Sequence, residues 1–169
     1  MISYTTQRPR IRTGDLILYT HEAHETLYDM QVQAVEFATK SKFSHVAIAW
    51  VVGPRVMIFE AVVPRVQIFP LSHTGDFYHV AMSKKFSEEA LNFTICQVGE
   101  KVGYSKLEGV RALFGKNNPN DGITQCSEFC KNALAANGLS LPGRAVPGDI
   151  AMSLIDLGYK LEKVKNALP

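Results

Sequence analysis

The sequence predicts an α+β domain, an antiparallel sheet packed against helices. Two patterns carry that expectation. Between Leu16 and Met82, short apolar runs with strand-like alternation are separated by Gly and Pro turns. Outside that region the apolar spacing changes to i, i+3, i+4, the period of a helix with one buried face. A third observation concerns position. The stretch Thr124-Gln125-Cys126-Ser127-Glu128-Phe129-Cys130 reads as the opening of a helix, and it follows an Asn- and Gly-rich loop over Asn117–Gly122.

The elements follow in chain order. Residues before Arg12 are polar and expected to be loose. Thr13-Gly14-Asp15 is a turn, and Leu16–Tyr19 a short buried strand. From about Glu22 to Lys40 the pattern is helical, with Leu27, Met30, Ala34, Phe37 and Ala38 on one face. Its opening, His21-Glu22-Ala23-His24-Glu25, misses the H-E-x-x-H spacing of a zinc protease, because the fifth position is Glu25. These residues read as a polar helix start, and no metal site is expected.

Ser44–Val52 is a strong strand whose faces differ. Val46, Ile48, Trp50 and Val52 make a large apolar face. His45, Ala47, Ala49 and Val51 make a smaller one, with His45 at its mouth. Gly53-Pro54 turns the chain into Val56–Val62. A turn centred there sets Val52 opposite Arg55 and Ala47 opposite Glu60, so Glu60 shares the face of His45. A slip of one residue reverses this and leaves Glu60 as an edge charge in water. Arg65–Phe69 and Phe77–Met82 read as two further strands that extend a meander. His79 is expected to be a satisfied strand residue.

Ser87 is expected to cap a helix whose apolar stripe is Leu91, Ile95, Val98 and Val102, with Cys96 in the core and Gly103-Tyr104-Ser105 as the stop. Leu107–Phe114 is read as a further helical turn or two. In the Cys126 helix, Cys126, Phe129, Cys130, Ala133 and Leu134 share a face, Thr124 is the candidate N-cap, and Gly138 is the stop. Asp149 is expected to cap a last short helix through Met152, Leu154 and Ile155. The tail from Tyr159 is charged and expected at the surface.

Composition bounds the function. The chain has 169 residues, 46% hydrophobic and 20% charged, which suits one globular domain over residues 1–169, with 1–12 and 160–169 as loose or surface tails. A net charge of +2 provides no footprint for nucleic acid. Three cysteines make no disulfide framework and point to a reducing compartment. Neither a signal peptide nor an apolar run long enough for a membrane span is visible, so a cytoplasmic location is expected. Oligomeric state is not legible.

Cys126 is the candidate nucleophile. The first turn of a helix offers unpaired N–H groups and the positive end of the dipole, which favour a thiolate. The competing reading is a buried structural cysteine, the commoner fate of a free thiol.

Four blocks now carry a resemblance. Gly14-Asp15-Leu16-Ile17-Leu18-Tyr19, Ser44-His45-Val46-Ala47-Ile48, Phe59-Glu60-Ala61 and Gln125-Cys126-Ser127-Glu128 resemble the signature blocks of NlpC-type papain-like cysteine hydrolases. In that family the Cys helix usually comes first. Here it comes last, which is similar to the circularly permuted YiiX-like and YaeF-like branch and, more distantly, to the lecithin:retinol acyltransferases. Ala47 stands where Gly is common. Gln125-Cys126-Ser127-Glu128 differs from the N-C-E-H of the acyltransferases. The missing export signal argues against a peptidoglycan substrate.

The resemblance implies a papain-like fold and three catalytic residues: Cys126 as nucleophile, His45 as base and Glu60 as the residue that orients the imidazole. The implied activity is hydrolysis of an amide, peptide or isopeptide bond through a thioester, without a cofactor. Two alternatives stand beside it: a lipid acyltransferase or thioesterase with the same residues, and an inactive binding module with this fold.

Overall fold

The computed structural model describes residues 1–20, 41–102 and 125–166. The helix expected over Glu22–Lys40 with His21 and His24, the turns over Leu107–Phe114, Gly103-Tyr104-Ser105, the loop Asn117–Gly122 and Thr124 all lie outside the described residues.

Among the described residues the strands are β1 (Ile2–Ser3), β2 (Leu16–Thr20), β3 (Phe43–Val52), β4 (Arg55–Val62), β5 (Arg65–Pro70), β6 (Phe77–Val80) and β7 (Glu162–Lys165). The helices are α1 (Tyr4–Gln7), α2 (Glu88–Cys96), α3 (Cys126–Ala136) and α4 (Pro147–Asp156). The strands form one sheet in the order β1-β7-β6-β2-β3-β4-β5. All neighbours are antiparallel except β1 and β7, which run parallel, so the architecture is α+β with a mixed sheet.

The β3–β4 hairpin has the register expected from its turn. Val52 pairs with Arg55, and the ladder continues to Ile48 opposite Phe59. Gly53, at φ +54°, supplies the left-handed turn position that a right-twisted hairpin needs. Val63-Pro64 then turns the chain into β5.

Alternation along β2 and β3 splits the core. Leu16, Leu18, Val46 and Ile48 face one side, where Phe129, Cys130, Ala133 and Leu134 of α3 cover them. Ile17, Tyr19, Ala47 and Ala49 face the other, with Ile58, Leu71, Phe77 and Val164. Helix α3 thus buries the face expected of it. Truncation of Phe129, 1% exposed, is expected to cost about 3–5 kcal/mol. Gly138 ends α3 at φ +75°, with Gly138 N–H bonded to the Ala135 carbonyl and Leu139 N–H to that of Leu134.

Several expectations are corrected. β6 does not extend the meander beyond β5; it returns to the free edge of β2. The segment from Leu71 to Asp76 makes the crossing, with Leu71 fully buried on the way. The tails expected to be loose join the sheet over Ile2–Ser3 and Glu162–Lys165. β7 pairs with β6 and β1, Val164 is fully buried, and so is Gln7. Short polar segments give little periodic signal, and their burial depends on pairing partners far away in sequence.

Ser87 does cap α2, its Oγ accepting from Ala90 N–H at 3.1 Å, but the helix stops at Cys96. Ile95, Cys96 and Val98 are exposed, and Ala90 and Thr94 are the buried positions. The chain after α2 instead runs beside β5, with Lys101 bridged to Arg65. Helix α4 begins at Pro147 rather than at an Asp149 cap. The Asp149 carboxylate accepts from the Arg144 backbone and guanidinium, and Met152 and Ile155 are exposed.

Candidate active site

Cys126 is the first residue of α3. Its N-cap is Gln125, in extended conformation with no side-chain capping bond. The first-turn N–H groups therefore lack side-chain help from the cap, and they point their partial positive charge at the Cys126 end. Cys126 is 4% exposed, and its Sγ lies 3.7 Å from Ser127 Oγ.

His45 is near the start of β3. Tyr19 pairs with His45, but Thr20 pairs with Phe43, so Ser44 is an extra residue. Such a bulge bends the strand and re-aims the side chains beside it. Cys126, at the helix start, is among the groups that set the electrostatics of His45. On its other flank the ring packs against Tyr19, with centroids 5.8 Å apart.

Glu60 ends the apolar part of β4. Its Oε2 lies 3.2 Å from His45 Nε2, and its Oε1 accepts from Gln67 Nε2 at 2.8 Å. The His45 and Glu60 side chains are 12% and 10% exposed. Burial by itself disfavours the imidazolium. The charge and hydrogen bond of Cys126, then the hydrogen bond and charge of Glu60, outweigh it and push the His45 pKa up to about 10. The site therefore favours the imidazolium form of His45. One turn into α3, burial and then the negative charge of Cys126 push the Cys130 thiol well up, so it stays protonated.

Of the three residues singled out in the sequence, His45 and Glu60 are in contact, and Cys126 contributes to the electrostatics of His45. Sequence reasoning gave less weight to two neighbours. Tyr19 looked like plain core. Its hydroxyl is held protonated by burial and by the Glu60 charge, against a hydrogen bond from Thr74. Gln67 was legible as the alternative third member should the hairpin register slip; in the structure it hydrogen-bonds Glu60 instead.

A second polar cluster lies on the same face. His79 Nε2 is 2.8 Å from Asp15 Oδ2, and Gln7 Nε2 is 2.7 Å from His79 Nδ1 and 2.6 Å from Glu162 Oε2. Asp15 also accepts from Met82 N–H and Arg12 N–H. The Gly14-Asp15 block therefore has a structural reason. Asp15 ties β2 to β6, and a side chain at Gly14, at φ +92°, would meet Phe86 at 2.5 Å.

The architecture defined here, a mixed sheet packed against helices, is an α+β fold found in a solved structure. It matches the crystal structure of the metalloprotein yiiX from Escherichia coli O157:H7 with a TM-score of 0.56 and 20% sequence identity, over 78% of this chain and 69% of that one. At this identity the likeness shows the fold. No family model matches the chain. No curated protein matches it either. Among the described residues no group of three or more His, Cys, Asp and Glu side chains is placed to hold a metal ion, and no helix is long and apolar enough to cross a membrane.

Proposed function

We propose that the chain is a cysteine hydrolase of the circularly permuted NlpC type, acting on an amide, peptide or isopeptide bond through Cys126, His45 and Glu60. The observation that carries this reading is the contact of His45 Nε2 with the Glu60 carboxylate at 3.2 Å, supported by Cys126 as a further group that raises the His45 pKa. With Nε2 turned to Glu60, Nδ1 is the nitrogen left to exchange a proton with Sγ.

The chemistry follows from that arrangement. The Cys126 thiolate attacks the substrate carbonyl, a C–S bond forms, and negative charge moves to the carbonyl oxygen. The backbone N–H groups at the start of α3, at the positive end of its dipole, are suited to receive that charge. As the tetrahedral species collapses, His45 donates its proton to the leaving amine, and a thioester remains on Cys126. Neutral His45 then takes a proton from water, whose oxygen attacks the thioester. The acid leaves, and the proton returns to sulfur. Glu60 holds the ring in one orientation and stabilises its cation throughout.

The test is to mix the protein with p-nitrophenyl acetate and, separately, with a library of peptidyl aminomethylcoumarin amides, and to map adducts by mass spectrometry. An acetyl group on Cys126, together with amide turnover that disappears in Cys126→Ala, is the expected result. Acetylation of Cys126 with no amide turnover would replace the hydrolase reading with acyl transfer to another acceptor. Folded protein with Cys126 unacylated would overturn both.

A further inference from the structure

We infer that Gln67 is a positioning residue that acts on His45 through Glu60; this rests on the catalytic reading above. Gln67 lies directly opposite Glu60 in the β4–β5 ladder, so the two side chains share one face by register. Its amide Nε2 donates to Glu60 Oε1 at 2.8 Å, while the other oxygen, Oε2, faces His45 Nε2 at 3.2 Å.

A glutamate carboxylate turns freely about its last torsion, which is broad and roughly two-fold. One hydrogen bond to His45 leaves that rotation weakly restrained. A second donor on Oε1 fixes the carboxylate plane and so fixes which oxygen meets the imidazole. Glu60 is 7% exposed, and a carboxylate this buried needs such donors in place of water. The identity of the donor matters as well. An amide orients the carboxylate without neutralising it, whereas Lys or Arg would compete with His45 for its charge. Tyr19 confines the ring from the other side, 5.8 Å away between centroids. The imidazole is thus held between an aromatic plane and an oriented carboxylate, and Gln67 itself makes no contact with the reacting atoms in this scheme.

The experiment is a double-mutant cycle at Gln67 and Glu60, read by iodoacetamide alkylation of Cys126 as a function of pH and by NMR titration of His45. Neither readout needs a substrate. Gln67 is exposed, so Gln67→Ala and the donor-less, similarly shaped Gln67→Met are expected to fold. In the Glu60 background each should lower the His45 pKa and slow alkylation near neutral pH by about tenfold, the low end for one hydrogen bond to a charged group. In a Glu60→Ala background the same changes should have no further effect. Wild-type behaviour of both single variants overturns the inference, and so does an equal loss with and without Glu60. If this coupling is present but Cys126 is never acylated, the proposed hydrolase fails while the positioning role stands. If Cys126 is acylated and the coupling is absent, the positioning role alone fails.

Discussion

Two histidine–carboxylate pairs lie on the same face of the sheet, and their difference separates a structural clamp from the candidate active site. His45 is opposite Tyr19 and His79 is opposite Ile17, two residues apart on β2. His79 is 1% exposed, and both of its ring nitrogens are engaged, one by Asp15 at 2.8 Å and the other by Gln7 at 2.7 Å. Nothing is left on that ring to take part in chemistry, and its partners tie α1, β2, β6 and β7 together. His45 has a looser carboxylate contact at 3.2 Å, a slightly open side chain, and a thiol in place of a second structural partner. Pair chemistry alone is therefore not a signal of function. What distinguishes His45 is that the Cys126 thiol takes the place of a second structural partner.

Reciprocal alanine substitutions test this contrast most severely. His45→Ala is expected to lower acyl transfer by roughly 10⁴-fold or more while the protein stays folded. His79→Ala should do the reverse. It removes one of the three hydrogen-bond partners of the buried Asp15 carboxylate and should cost about 1–3 kcal/mol in a urea unfolding curve. The remaining folded fraction should acylate at the wild-type rate. Equal catalytic losses in the two variants would erase the distinction.

Glu60→Gln sharpens the comparison at one atom. Turnover should fall on the order of 10²-fold rather than vanish, because a poorly held imidazole still accepts a proton. The His45 pKa should fall from about 10, since a source of negative charge is gone. A pKa raised by folding stabilises the folded state fully below the ordinary imidazole value of about 6.5 and ceases to do so as pH rises through about 10. The Glu60→Gln variant should therefore lose this contribution at a lower pH than wild type does. An unmoved NMR titration of His45 would show that Glu60 does not govern the ring.

The smallest effect is expected at Cys130, which is fully buried behind the site. Cys130→Ala should cost about 1–2 kcal/mol of packing and leave acylation intact. Neighbours four apart on a helix hold their Cβ atoms about 5–6 Å apart, too far for a relaxed disulfide. Loss of acylation in folded Cys130→Ala, or stoichiometric zinc in wild-type protein, would count against this separation of roles.

Much of the molecule was determined by sequence alone, wherever the controlling interactions are local. Alternation in Leu16–Tyr19 and Ser44–Val52 marks strands because successive side chains point to opposite faces. Gly53 sets the hairpin register through its own backbone angle, and that register places Glu60 on the face of His45. The periodicity of Cys126, Phe129, Cys130, Ala133 and Leu134 identified the buried face of α3. Tertiary structure decided the rest. Whether β6 joins β5 or β2 depends on which strand edge is open, and nothing within Phe77–Met82 encodes that. Apolar Ile95 and Val98 prolonged the helical pattern, but the chain leaves α2 to run along β5. Val164 had no legible core role until β7 found β6 and β1. The contacts among Gln7, Asp15, His79 and Glu162, and between Gln67 and Glu60, belong to the same class. Each polar residue is ordinary in its own segment, and its role arises only when folding removes water and leaves another side chain as its hydrogen-bond partner.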